Sequence, residues 1–171
     1  MKISVVGAGY VGLVTAACFA SKKNTVILIE RDLNKIKSLC NGQIPFYEPG
    51  LDELVKDVIK TGKLEFVSKI ETALEKRPEI IFSCVGTPPK PDGSADLSFV
   101  FSVAAEIGNH LKNECIIINK STVPVGTAKK VTKKILKKMD QRGASINFDV
   151  ASNPEFLKEG DALNDFFMPD R

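Results

Sequence analysis

The chain has 171 residues, of which 43% are hydrophobic and 26% are charged, a composition typical of globular domains and not of disordered or fibrous proteins. A complete (β/α)₈ barrel needs about 250 residues, so the length favours one smaller domain. Lys and Arg (24) exceed Asp and Glu (21) by three, a formal net charge of +3, which indicates neither a nucleic acid nor a membrane surface as partner.

Short apolar segments alternate with helical patterns along the whole chain, as in βαβ units. Most of these segments are rich in Ile, Val and Phe without strict polar alternation, which predicts strands covered by helices on both faces. We therefore predict an α/β fold, doubly wound, with a mostly parallel sheet. The predicted strands are Lys2–Val6, Thr25–Glu30, Leu64–Val67, Ile80–Val85, Cys115–Asn119 and Phe148–Ala151.

Apolar residues at helical spacing predict six helices that connect these strands. In the last one, Val131, Ile135, Leu136 and Met139 form a predicted buried stripe, and six lysines lie mainly outside it. These lysines favour a solvated face, with a phosphate or polyanion patch as the alternative. The predicted helices are Tyr10–Ser21, Asp32–Leu39, Leu51–Lys60, Lys69–Lys76, Leu97–Leu111 and Thr127–Asp140.

The first strand leads into Gly7-Ala-Gly-Tyr-Val-Gly12, which opens a helix, and Glu30 ends the next strand. A G-x-G-x-x-G turn between a strand and a helix, with an acid at the end of the second strand, predicts a dinucleotide-binding site. We therefore predict that residues 1–171 form a Rossmann-like dinucleotide-binding domain. Gly7 makes the tight turn, Gly9 admits the pyrophosphate and Gly12 permits close packing. The phosphates would lie on amides at the start of the helix. The predicted binding residues here are Gly7, Gly9, Tyr10, Val11 and Gly12.

Glu30 decides between the two nicotinamide cofactors. Its carboxylate would accept hydrogen bonds from the adenosine ribose and repel a 2′-phosphate, which favours NAD over NADP. Arg31 could serve a 2′-phosphate, so NADP is the alternative. Lys35, one helical turn further on, could reach the ribose or a phosphate, or could be a solvated lysine.

Other candidate site segments follow later strands, at the edge where ligands bind in open parallel sheets. Two proline-containing loops, residues 42–50 and 86–96, are stiff enough to hold groups around a ligand. Lys120–Gly126 and Ser152–Gly160 follow the last two strands, and helix capping is the alternative role for their side chains. The polar side chains that they bring are Ser121, Thr122, Glu155 and Glu159.

The cysteines and the single histidine indicate neither a metal site nor disulfide bonds. Cys18, Cys40, Cys84 and Cys115 are far apart and form no C-x-x-C pair. Reduced thiols predict a cytoplasmic protein. His110 lies in a helical pattern and is expected to be an ordinary helix-face residue.

Several motifs together resemble the N-terminal half of the nucleotide-sugar dehydrogenases, the UDP-glucose/GDP-mannose dehydrogenase family. The resemblance covers essentially the whole chain, and the ending at residues 165–171 is more similar to the UDP-glucose branch than to the GDP-mannose or UDP-N-acetylmannosamine branches. The motifs lie at residues 7–13, 45–51, 85–88, 95–97, 121–127 and 153–160.

The resemblance implies NAD-dependent oxidation of the C6 alcohol of UDP-glucose, in two steps, to UDP-glucuronate, by an enzyme that is a homodimer when complete. It implies that Thr122 and Glu155 hold and activate water or relay protons. It also implies that Thr87, Ser121 and Glu159 contact NAD near the nicotinamide. The residues implied to approach the sugar nucleotide are Glu155, Phe156, Leu157 and Lys158.

One part of the family pattern is missing from these residues. The family's nucleophilic cysteine lies in a glycine-rich segment of the C-terminal half, and none of the four cysteines here has such a context. We therefore expect a truncated enzyme, without the central helix and the C-terminal UDP-sugar domain, that is inactive alone. A sister nucleotide-sugar dehydrogenase and a non-catalytic nucleotide-binding module are the alternatives.

Overall fold

A computed structural model describes residues 1–169. Six strands in this part of the chain form a single sheet. The strand order is β3-β2-β1-β4-β5-β6, and every neighbouring pair is parallel. The six predicted strands are confirmed, with ends that shift by one or two residues. The strands are β1 Lys2–Val6, β2 Thr25–Ile29, β3 Leu64–Val67, β4 Ile80–Ser83, β5 Cys115–Asn119 and β6 Phe148–Ser152.

Seven helices lie among the described residues, and six of them were predicted. The seventh, α7, was not predicted, and it follows the segment 153–160. The helices are α1 Tyr10–Ser21, α2 Leu33–Cys40, α3 Leu51–Lys60, α4 Ile70–Glu75, α5 Ser98–His110, α6 Thr127–Gln141 and α7 Ala162–Phe167. None of the helices between residues 1 and 169 is long and apolar enough to span a bilayer.

Helices cover both faces of the sheet, as the doubly wound prediction requires. Alternate side chains of β1 point to opposite faces, so Ile3 and Val5 pack in one core layer and Val6 packs in the other. The first layer contains buried residues of α1 and α3, and the second contains those of α4, α5 and α6. The sheet is therefore enclosed where β1 and β4 meet, which fixes the positions of the loops that leave these two strands.

Helix α1 is buried on nearly all sides because further elements cover its outer surface. Phe19 stacks on Phe82 of β4 with ring centroids 5.2 Å apart, and it meets Phe166 of α7 edge-on at 5.0 Å. Helix α7 is only six residues long, too short for an apolar period to reveal it in the sequence.

The predicted stripe on α6 is wrong at one residue. Val131, Ile135 and Met139 are buried, but Leu136 is 51% exposed. Adjacent residues differ by about 100° around a helix, so Leu136 cannot share the face of Ile135 that packs on α5.

Candidate dinucleotide-binding site

The strand order reverses between β1 and β4, and two clefts open there at the carboxyl ends of the strands. Open parallel sheets bind ligands at this kind of position. One cleft, of about 500 Å³, extends toward β2 and is called the Glu30 cleft; the other, of about 260 Å³, extends toward β5 and is called the Thr122 cleft. Both are lined by Gly9 and by the segment Cys84–Gly86. The two clefts therefore meet at the glycine turn.

The three glycines of the turn are needed for different reasons. Gly7 has φ +99°, and a Cβ there would lie 2.8 Å from the Cys84 carbonyl oxygen. A Cβ on Gly12 would lie 1.8 Å from the Gly7 carbonyl oxygen, so the packing of α1 on the turn requires glycine. Gly9 has φ −69°, and a Cβ there would meet no atom within 4 Å. The fold thus requires Gly7 and Gly12, whereas the space above Gly9 is open for a ligand to approach the backbone.

Glu30 lies at the Glu30 cleft, where its carboxylate is held by its neighbours. Its Oε1 accepts hydrogen bonds from the backbone amides of Arg31 (2.7 Å) and Asp32 (3.2 Å), and its Oε2 lies 3.2 Å from Lys35 Nζ. Burial alone would raise the pKa of Glu30, but these hydrogen bonds and the lysine outweigh it and hold the pKa below its usual value. The side chain is therefore an ionised acceptor. Lys35 is paired with Glu30 in the structure, and its contact with the ribose or a phosphate stays a prediction.

Arg31 also lines the Glu30 cleft. Its Nη2 donates to Ser102 Oγ of α5 at 3.2 Å. The Arg31 guanidinium therefore contacts α5 on the opposite wall of the cleft. The carboxylate of Glu30 is the charged group next to the end of β2.

The Thr122 cleft brings together side chains from three segments that are distant in sequence. Thr87, Ser121, Thr122 and Glu155 line it together with residues 9–11 at the start of α1. Ser121 Oγ donates to the Val85 carbonyl at 2.6 Å, and Thr87 Oγ1 donates to the Thr122 carbonyl at 3.0 Å. These two hydroxyls connect the segments that follow β4 and β5. Thr122 is exposed, and Glu155, which is half-buried, accepts a hydrogen bond from the Leu157 amide.

The other predicted residues of the segment 153–160 do not line either cleft. Leu157 is buried in the core layer of α1, and Phe156 and Glu159 are exposed. The Lys158 ammonium lies 3.0 Å from Asp165 Oδ1, and this pairing raises the pKa of the lysine. Their roles toward NAD or a sugar nucleotide stay predictions.

The proline loops contribute less to the clefts than expected. Of residues 86–96, only Gly86 and Thr87 line the clefts, and the remainder includes an antiparallel bridge between Pro89 and Ala95. The loop 42–50 lines neither cleft.

Residues 1–171 match the sequence model of the UDP-glucose/GDP-mannose dehydrogenase family, NAD binding domain. This chain belongs to that family. The UDP-glucose 6-dehydrogenase of Pseudomonas aeruginosa is 48% identical over 171 residues, which are all of this chain and 38% of that relative. NAD is the cofactor of this domain of the UDP-glucose/GDP-mannose dehydrogenase family.

Two solved structures of the family show how well the fold agrees. A UDP-glucose dehydrogenase from Pyrobaculum islandicum superposes with a TM-score of 0.92 at 39% identity, covering 99% of this chain and 39% of that one. A GDP-mannose dehydrogenase from Pseudomonas aeruginosa, solved as a ternary complex, gives 0.89 at 34% identity, with the same coverage. The chain thus spans about two-fifths of the length of these family members. The residues 165–171, used above to assign a branch, include Asp170 and Arg171, which lie outside the described residues.

Sequence reasoning missed the two most deeply buried charged residues of the described part of this family domain. Lys120 is 4% exposed and lines the Thr122 cleft, with Nζ 3.2 Å from Asn153 Oδ1 and 5.0 Å from the centre of the Phe156 ring. Burial lowers its pKa. The other residue is Glu48, which is also 4% exposed. Lys120 directly follows β5, and Glu48 lies in the proline-containing loop 42–50, but no local pattern indicates that Glu48 is buried.

The cysteines of this domain lack the features of nucleophiles. Burial raises the pKa values of Cys18, Cys84 and Cys115 to about 12, and Cys40 is exposed at the end of α2. A thiol attacks as its thiolate, which such values disfavour at neutral pH. Cys84 lines both clefts but is 9% exposed. Within residues 1–169, no three His, Cys, Asp or Glu side chains are grouped so as to hold a metal ion.

Proposed function

We propose that this chain is the NAD-binding part of an enzyme that oxidises UDP-glucose at C6 to UDP-glucuronate, with two NAD reduced. The observation that carries this proposal is the meeting of the two clefts at Gly9, with an ionised Glu30 in one and Thr122 and Glu155 in the other. The 39% identity to the UDP-glucose dehydrogenase structure, against 34% to the GDP-mannose dehydrogenase structure, supports UDP-glucose as the substrate.

The proposed roles follow from where each group lies. When bound, NAD supplies the hydride acceptor. Glu30 accepts hydrogen bonds from the adenosine ribose, and the amides at the start of α1 bind the pyrophosphate. Thr122 and Glu155 hold water or move a proton near the sugar C6, because both line the cleft that continues from the turn toward β5. The proposed contacts near the nicotinamide are made by Thr87, Ser121 and Glu159, and those to the sugar nucleotide by Phe156, Leu157 and Lys158.

Replacing Glu30 is expected to change cofactor preference more than stability. Glu30→Ser removes the charge that repels a 2′-phosphate and leaves Arg31 and Lys35 in place to attract it. We expect the ratio of NADP to NAD dissociation constants to fall by about tenfold or more, a difference of about 1.4 kcal/mol. Calorimetric titration of both cofactors measures it, with Glu53→Ser on the exposed side of α3 as control. An unchanged ratio would remove Glu30 from cofactor selection.

The sister dehydrogenases and a non-catalytic module are separated from this proposal by two observations. NADH formation by the complete protein, assayed with UDP-glucose, GDP-mannose and UDP-N-acetylmannosamine, identifies the substrate. The reading frame of the gene beyond Arg171 decides whether a glycine-flanked cysteine follows. Its absence would favour a non-catalytic nucleotide-binding module.

The 171-residue chain alone is expected to form no NADH from UDP-glucose and NAD. Three of its thiols are buried with raised pKa values, and Cys40 lines neither cleft. Orientation of the reacting groups can account for about 7–11 kcal/mol of a barrier, and no thiol here is placed to hold an aldehyde. Absorbance of NADH, followed for hours at high protein concentration beside an active family member, tests this. Sustained turnover would show that one of the four cysteines, or chemistry without a thiol, suffices.

A further inference from the structure

Glu48 is a buried carboxylate that lies outside both clefts. Its Oε2 accepts hydrogen bonds from the Tyr10 hydroxyl at 2.6 Å and from the Gly160 amide at 2.8 Å. Its Oε1 accepts one from the Ala162 amide at 2.8 Å. Among the described residues, no Lys, Arg or His lies within ion-pair distance of Glu48, so hydrogen-bond donors alone stabilise its charge.

The three donors belong to two parts of the candidate site. Tyr10 is the first residue of α1 and directly follows Gly9, where the two clefts meet. Gly160 and Ala162 lie 112 and 114 residues after Glu48 in the sequence. Gly160 ends the segment that carries Glu155, and Ala162 is the first residue of α7. One side chain therefore connects the glycine turn with the segment 153–160.

The hydrogen bonds of Glu48 favour its charged form. Burial alone would raise the pKa of Glu48, but the bonds from Tyr10 and from the amides of Gly160 and Ala162 together outweigh it and lower the pKa. Hydrogen bonds to a charged group are stronger than neutral ones, and a buried donor left without its partner is costly. The position of the segment therefore depends on this carboxylate.

The Tyr10 hydroxyl donates its proton to Glu48 and not to the nearby Lys158 carbonyl. A tyrosine hydroxyl has one proton to donate, and its oxygen lies 2.6 Å from Glu48 Oε2 but 3.1 Å from the Lys158 carbonyl oxygen. The shorter contact takes the proton. The ring is held separately against Phe46, with centroids 5.1 Å apart.

We propose that Glu48 is a positioning residue that couples the dinucleotide turn to the segment carrying Glu155, through Tyr10. A dinucleotide that binds the amides at the start of α1 restrains Tyr10, so it also restrains Glu48 and the amides of Gly160 and Ala162. Coupling of this kind is reciprocal. The proposal rests on NAD binding at this turn, as proposed above.

Amide hydrogen exchange of the 171-residue chain, with and without NAD, tests the coupling. In the parent chain, we expect saturating NAD to slow the exchange of Gly160 and Ala162 by about tenfold. In Tyr10→Phe, which keeps the ring and removes the hydroxyl, this NAD-dependent slowing should be lost at an NAD concentration that titration of the same variant shows to be saturating. A role of Glu48 in stability alone would leave the response to NAD unchanged in Tyr10→Phe.

Glu48→Gln is the second variant, because it replaces an acceptor oxygen with an amide donor that faces the Tyr10 hydroxyl or the backbone amides. We expect Gly160 and Ala162 to exchange about tenfold faster or more without NAD, and to respond little to NAD. Glu53→Gln, the same change on the exposed side of α3, should behave as the parent. If Glu48→Gln does not fold, the Tyr10→Phe comparison decides.

The outcomes separate this proposal from the proposed function. If NAD binds to the parent chain but leaves the exchange of Gly160 and Ala162 unchanged, the coupling is wrong and the NAD site stands. If Tyr10→Phe keeps the full NAD-dependent slowing, Glu48 does not act through Tyr10 and the proposal is overturned. If NAD does not bind at all, both proposals are overturned.

Discussion

Gly9→Val is expected to abolish measurable NAD binding while it leaves the stability of the chain nearly unchanged. A Cβ at Gly9 meets no protein atom within 4 Å, and the residue has φ −69°, which valine adopts without strain. The added side chain points into the open space at the turn, where the backbone must approach the pyrophosphate. Calorimetric titration with NAD and thermal unfolding of the same sample measure the two quantities. Binding within about threefold of the parent would show that the dinucleotide does not pass over Gly9.

Gly12→Ala is the matched comparison, because it adds one methyl group in the same turn with the opposite expectation. Its Cβ would lie 1.8 Å from the Gly7 carbonyl oxygen, a backbone atom that cannot move aside without shifting α1. Overpacking a core typically costs about 1–3 kcal/mol, and this contact is with backbone, so we expect a loss of about 3 kcal/mol or more. Urea unfolding measures it. A Gly12→Ala chain as stable as the parent would contradict the described packing of α1 on the turn.

Glu155→Gln in the complete enzyme is expected to lower turnover by about 10²–10⁴-fold, the range typical of general acid–base groups. Glu155 lines the Thr122 cleft with Thr122 itself and contributes nothing to the Glu30 cleft, so the affinity for NAD should change little. Steady-state kinetics give turnover, and calorimetry gives the affinity for NAD.

Two further variants make the Glu155 experiment specific. Glu53→Gln controls for the loss of a surface carboxylate. Glu159→Gln changes the other acid of the segment, which lines neither cleft, and its affinity for NAD shows whether Glu159 contributes to cofactor binding. Turnover of Glu155→Gln within a factor of two of the parent would exclude Glu155 from the chemistry.

Local sequence patterns predicted the fold because the strands are short apolar segments and the long helices carry apolar residues at helical spacing. The position of Glu30 was predicted from the end of one strand. In the structure β2 ends at Ile29, but the Glu30 amide still donates a hydrogen bond to the Val67 carbonyl of β3 at 3.0 Å. The glycine turn is likewise a local motif, in which spacing alone determines geometry. Ser121, Thr122 and Glu155 were predicted to lie close together because the carboxyl ends of parallel strands share one edge of the sheet.

The features that were missed depend on contacts between distant residues. Helix α7 is stabilised by packing of Phe166 on Phe19 and by the Glu48 carboxylate at its first amide, and neither contact leaves a local pattern. Leu136 fits an apolar stripe, but α5 covers only the face that contains Ile135. The segment 153–160 is held by contacts with distant residues, among them the hydrogen bond from the Gly160 amide to Glu48, more than 100 residues earlier. Sequence reasoning could therefore name Lys158 and Glu159 but could not place them.

The most direct test is titration of the unmodified 171-residue chain with NAD and with NADP. It shows whether the two clefts form one dinucleotide-binding site in which Glu30 selects NAD over NADP. We expect one NAD per chain, bound more tightly than NADP, because an ionised Glu30 lines the cleft and its charge would repel a 2′-phosphate. Tighter binding of NADP, or no binding of either cofactor at a folded chain, would contradict the assignment of this site.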